Sequence, residues 1–120
     1  MAILITGGSG MVGKALRGIL PQATYLSSQD ADLRNPAEAL KVFEEVRPSQ
    51  VIHLAASVGG VKANQEHNVE FFTDNLSIDS NVLRAAVIHK TPRLLAVLSG
   101  CAYAFFEDHP TSEENLHEGL

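Results

Sequence analysis

The 120-residue chain is expected to fold as an α/β domain: a parallel sheet of about four strands with helices on both faces. Three observations predict it. Short all-apolar runs alternate with segments of helical period. A glycine-rich break follows the first apolar run directly. The alternation reads βαβαβαβ, and parallel strands require crossover helices. The length suits one domain.

Ala2-Ile3-Leu4-Ile5-Thr6 is apolar almost throughout, as a strand covered on both faces must be. Gly7-Gly8-Ser9-Gly10 breaks it, and Met11, Ala15, Leu16, Ile19 and Leu20 then form a helical stripe ending before Pro21. Thr24-Tyr25-Leu26 reads as a second strand, followed by the polar stretch Ser27–Asn35. Asn35-Pro36-Ala37-Glu38 opens a helix with an N-cap, a first-turn proline and an early acid. Its buried stripe is Ala39, Val42, Phe43 and Val46, and Pro48 marks its exit. Val51–Ala55 is the third strand, and Ser57–Asn64 reads as a loop. A long helix is expected from near Glu66 to near His89, with Val69, Phe72, Leu76, Leu83, Ala86 and Val87 on one face. Arg93–Leu98 is the fourth strand. The acidic stretch Glu107–Glu118 reads as a solvated tail.

Composition excludes several functions. Nine basic against 14 acidic residues give a net charge of −5, and no basic cluster offers a nucleic-acid face. No apolar run approaches the roughly 20 residues of a membrane span, and Met1–Thr6 lacks the features of a signal peptide. One cysteine, Cys101, excludes an internal disulfide and a multi-cysteine zinc site, so a reducing, cytoplasmic setting is expected. His67, His89, His109 and His117 show no metal-ligand spacing. His53, in mid-strand, reads as a core histidine.

A parallel sheet places its ligand at the carboxyl ends of its strands, so the positions to inspect follow Thr6, Leu26, Leu54 and Leu98. Gly7, Gly10 and Gly13 repeat at a spacing of three between a strand and a helix. One glycine makes the tight turn, one lets backbone approach a pyrophosphate, and one lets the helix pack on the sheet. Helix N–H groups and the helix dipole then hold the phosphates. This is a Rossmann-like dinucleotide site; a bare flexible turn is the alternative. An acid at the end of the second strand would hold the 2′-hydroxyl of NAD. Leu26-Ser27-Ser28 stands there instead, which favours NADP, with Lys14 and Arg34 as candidate cationic partners.

Here the residues resemble a known family. Thr6–Gly13 is similar to the fingerprint of extended short-chain dehydrogenases/reductases, Asp30-Ala31-Asp32-Leu33 to their adenine-side motif, and His53-Leu54-Ala55-Ala56 to their third-strand motif. More narrowly, Val58-Gly59-Gly60-Val61, Asn75 and Ser99-Gly100-Cys101-Ala102-Tyr103 resemble the GDP-L-fucose synthases. Gly100 stands where that family has Ser or Thr, and Ala104 where it has Pro.

The resemblance implies a cofactor site built from Gly7, Gly10, Met11, Val12 and Gly13, with Ser27 at the second strand. Asp32 and Leu33 would flank the adenine, and Leu54, Ala55 and Ala56 would form the third-strand wall. It implies NADPH as reductant, a GDP-sugar substrate, epimerisation at C3 and C5 and reduction at C4. Ser99 would stabilise charge on the ketone oxygen, and Cys101 would exchange protons. The alternatives are a strand-end hydroxyl satisfying backbone for Ser99 and an inert small hydrophobe for Cys101. The resemblance also implies homodimerisation through the long helix. It covers only the N-terminal part of the family's chain. No Tyr-x-x-x-Lys pair occurs: Tyr25 is followed at that spacing by Gln29, and Tyr103 by Glu107. The expectation is therefore a truncated NADP-binding domain without a substrate domain, inactive alone. The other readings are a non-catalytic NADP-binding or dimerisation module, or another nucleotide-sugar epimerase/dehydratase.

Overall fold

The computed structural model describes residues 1–103 and 110–117; Ala104, Glu107, His109 and Glu118 lie outside the described residues. Four parallel strands form one sheet in the order β2-β1-β3-β4: β1 Ile3–Thr6, β2 Thr24–Leu26, β3 Gln50–His53 and β4 Arg93–Ala96. The helices are α1 Met11–Leu16, α2 Pro36–Val46, α3 Val61–Glu66 and α4 Asn68–Ile88. The chain steps from β1 outward to β2, then back across β1 to β3. With right-handed crossovers, that reversal puts α1 on one face and α2 and α4 on the other. The reversal lies between β1 and β3, where a doubly wound sheet opens its ligand crevice.

The core sits under α2 and α4. Leu4 and Val51 from the sheet meet Ala39, Val42 and Phe43 of α2 and Val82, Ala85 and Ala86 of α4. Asn35 caps α2 by accepting the Ala37 N–H at 2.9 Å, as the sequence predicts. Arg47 ends that helix in the left-handed conformation, ahead of Pro48.

Several boundaries differ from the sequence reading. α1 stops at Leu16 rather than Leu20: the Ile19 and Leu20 N–H groups both donate to the Leu16 carbonyl, closing the helix in a turn. The loop expected over Ser57–Asn64 is loop only to Gly60. Gly60 takes extended backbone, and α3 starts at Val61 and carries a Lys62–Glu66 pair at 3.8 Å. His67, in a non-helical conformation, separates α3 from α4. β3 and β4 end at His53 and Ala96, earlier than expected.

The structure decides which way the apolar stripe of α4 faces. Its predicted apolar stripe does not cover the sheet: Val69, Phe72, Leu76, Leu83 and Val87 are exposed, and only Ala86 is buried. Ile78, Val82, Ala85 and Ala86 make the inward face instead, where two alanines permit close packing against α2. Leu95, Val97 and Leu98 on and after β4 are exposed as well.

Candidate functional site

The turn after β1 is built by glycines with separate tasks. Gly7 has φ +69°, and a Cβ there would lie 2.8 Å from the backbone of Leu54 and Ala55, so the turn is pressed against the end of β3. A Cβ on Gly13 would lie 2.7 Å from Gly8 backbone, so α1 packs directly on the loop. Gly10 is the N-cap of α1, and a Cβ there would meet only the Gly7 carbonyl, at 3.3 Å. It contributes no side-chain cap to the amides of Met11, Val12 and Gly13, and α1 has no acid in its first turn. Those amides are therefore available to an anion. Gly8 is the glycine that spacing alone overlooks: a Cβ on it would sit 2.7 Å from Tyr25 Cβ, because its N–H donates to Leu26 O at 2.8 Å.

A cleft of about 870 Å³ opens at this point. The predicted Gly7, Gly10, Met11, Val12 and Gly13 line it at the glycine turn and the start of α1. Ser27, Asp32 and Leu33 line a second wall, and Leu54, Ala55 and Ala56 line its floor. Ser99 lines it from three residues past β4, whereas Cys101 is exposed and lies outside the lining. Ser99 Oγ accepts the Cys101 N–H at 3.1 Å and caps a 3-10 turn over Gly100–Ala102. The backbone-satisfying role weighed for Ser99 is thus real, and its own O–H is still able to donate.

The charges beside the second wall are paired. Arg34 grips Asp32 with two bonds of 2.9 Å and reaches Asp74 at 3.5 Å. These hydrogen bonds hold the Asp32 carboxyl below its ordinary value and raise the guanidinium further. Ser27 gives both its N–H and its hydroxyl to Asp30, at 2.7 and 2.8 Å, which lowers that carboxyl too. Of the two candidate cations, Arg34 lines the cleft and Lys14 does not.

Three residues of α4 reach the cleft without having been predicted as site residues. Asp74 meets Arg34, Asp79 accepts from or pairs with His53 Nε2 at 2.9 Å, and Ile78 lines the wall. Asn75 clamps the loop after β3: its Oδ1 accepts the Ser57 N–H at 2.7 Å and its Nδ2 donates to Ser57 O at 2.8 Å. The available signal was the polar pair Asn75 and Asp79, one helical turn apart. His53 is buried, as expected of a core histidine, yet its ring also borders the cleft.

A family model described as the NAD dependent epimerase/dehydratase family matches residues 3–119. The chain belongs to this family. Among its relatives, a probable GDP-L-fucose synthase of Drosophila melanogaster is 36% identical, with 98% of this chain and 39% of that protein covered. A GDP-L-fucose synthase of Dictyostelium discoideum is 34% identical over the same shares. The crystal structure of a GDP-L-fucose synthetase from Naegleria fowleri bound to NADP superposes with a TM-score of 0.85 at 37% identity, covering 98% of this chain and 40% of that one. The chain thus spans about two fifths of the length of the epimerase/dehydratase relatives it matches. No helix among the described residues is long and apolar enough to cross a membrane.

Proposed function

We propose that this chain is the NADP-binding part of a GDP-L-fucose synthase-like enzyme, one that epimerises C3 and C5 of GDP-4-keto-6-deoxy-D-mannose and reduces C4. The observation that carries the reading is the convergence of uncapped α1 amides, the ends of β2 and β3, and Ser99 on one cleft. The dinucleotide fits: Gly10 leaves room where phosphate must approach backbone, and among the described residues Asp30 does not line the cleft while Asp32, which does, is paired with Arg34. NADPH, when bound, supplies the hydride for C4.

The chain's own groups have distinct tasks in this reading. Met11, Val12 and Gly13 amides hold the pyrophosphate. Ser27 spends its hydroxyl proton on Asp30, so Ser28 and neighbouring backbone receive the 2′-phosphate. Leu33 and Asp32 flank the adenine, with Arg34 keeping the Asp32 carboxylate in place. Ser99 directs its O–H at the ketone oxygen, where charge grows in both half-reactions. Cys101, two residues after Ser99 and outside the cleft lining, exchanges protons with the substrate in this reading. A Tyr-x-x-x-Lys pair does not occur in these 120 residues, so the chain by itself is expected to bind cofactor without converting the sugar. The single cysteine suits a cytoplasmic setting.

Titrating the chain with NADPH and with NADH, followed by nucleotide fluorescence, tests the cofactor reading. NADPH is expected to bind about tenfold more tightly, a gap of about 1.4 kcal/mol. A clear preference for NADH rejects the assignment of Ser27 and Ser28.

The outer face of α4 supports self-association. Val69, Phe72, Leu76, Leu83 and Val87 form a continuous exposed stripe on one 21-residue helix. Sedimentation equilibrium is expected to show a dimer, and Leu76→Glu to shift it to monomer. A concentration-independent monomer for the unsubstituted chain contradicts this.

A further inference from the structure

A fully buried polar group lies behind the cleft, next to the Leu54 and Ala55 that line it. Thr6 is fully buried at the end of β1, and its Oγ1 is surrounded by three partners. The Ala55 N–H donates to it at 3.2 Å, the Leu54 N–H is shared between it and the Thr6 carbonyl at 3.2 Å each, and His53 Nδ1 lies 2.6 Å away. A hydroxyl accepts through two lone pairs and donates one proton. A carboxylate only accepts, so His53 Nε2, 2.9 Å from Asp79 Oδ1 on α4, carries a proton, and in the neutral ring Nδ1 accepts from the Thr6 hydroxyl.

We infer that Asp79 is a positioning residue: through His53, fixed in its Nε2–H tautomer, and Thr6 Oγ1, it sets the Leu54–Ala55 backbone that floors the cofactor cleft. The geometry gives it this leverage. Gly7 has no room to spare against the same two residues, so a shift of the Leu54–Ala55 backbone moves the phosphate turn as well. His53 is buried at 5% exposure, whereas the Asp79 side chain is 57% exposed. Replacing Asp79 therefore leaves the packed core alone and removes only the outer anchor of the chain of bonds.

Two variants separate positioning from charge. Asp79→Asn keeps an acceptor oxygen toward Nε2–H; Asp79→Leu removes it. Both delete one negative charge from a cleft that would hold an anionic ligand, and charge alone would tighten NADPH binding in both. Positioning instead weakens it in Asp79→Leu by about tenfold, the scale of one lost buried hydrogen bond, and leaves Asp79→Asn within about twofold of the parent chain.

The affinity comparison rests on the cofactor reading above, so two further measurements stand apart from it. In the unliganded chain, 15N spectra of the His53 ring are expected to show a protonated Nε2 and an unprotonated Nδ1. Amide exchange at Leu54 and Ala55 is expected to accelerate about tenfold in Asp79→Leu and to return toward the parent rate in Asp79→Asn. A ring protonated at Nδ1, or exchange rates indifferent to Asp79→Leu, overturns the inference whether or not NADPH binds. Absence of NADPH binding with the ring and exchange results as expected defeats the cofactor reading and leaves the bonding chain standing. Equal or tighter NADPH binding in Asp79→Leu overturns the positioning role.

Discussion

Gly10→Val removes measurable NADPH binding and leaves the chain folded. Gly10 has φ −75° and ψ 179°, an extended conformation open to any residue, including a β-branched one. A Cβ there would meet only the Gly7 carbonyl, at 3.3 Å, so the backbone does not have to move far. The added methyls instead occupy the approach to the amides of Met11, Val12 and Gly13. Losing two charge-assisted hydrogen bonds to phosphate costs about 3–6 kcal/mol, or more than about a hundredfold in affinity. Fluorescence titration reads the loss, and a thermal melt within a few degrees of the parent shows that the fold survives. Unchanged NADPH affinity together with an unchanged melt means that the loop is not the phosphate cradle.

Gly7→Ala, three residues earlier, acts on stability. Gly7 combines a positive φ with a Cβ position 2.8 Å from the Leu54 carbonyl carbon and the Ala55 nitrogen. The left-handed conformation costs about 1 kcal/mol for alanine, and overpacking against backbone that cannot rotate away adds about 1–3 kcal/mol. The expected loss is about 2–4 kcal/mol, a large share of the roughly 5–15 kcal/mol that holds a domain of this kind together. Urea unfolding measures it as a lower midpoint at similar slope. A loss below about 0.5 kcal/mol contradicts the close approach of this turn to β3. The two glycines are only three positions apart, yet one controls binding and the other folding.

The sheet, its parallel sense and the glycine turn after β1 were legible because each rests on local signals. Ile3–Thr6 is apolar without alternation, Asn35-Pro36 caps a helix by its own chemistry, and glycine spacing follows from sterics. The inward face of α4 was not legible. Its outer stripe holds the larger apolar side chains, so hydrophobic period alone selects Phe72, Leu76 and Leu83 over Ile78, Val82 and Ala85. Only the packing of α2 across the sheet shows which face is inside. The cleft followed the same division. Gly10, Ser27, Asp32, Leu54 and Ser99 lie at strand ends or in the turn and could be read in order along the chain. Thr6, Asp74 and Asp79 could not, because their roles depend on partners 40–49 residues apart or on a helix from the opposite side of the cleft.

Amide resonances of the 15N-labelled chain, followed during NADPH titration, locate the bound dinucleotide. Saturable shifts are expected at Gly10–Gly13, Ser28 and Leu54–Ala56, with the far ends of the strands silent. Saturable binding whose shifts gather elsewhere, or no binding at millimolar NADPH, would contradict the cofactor reading.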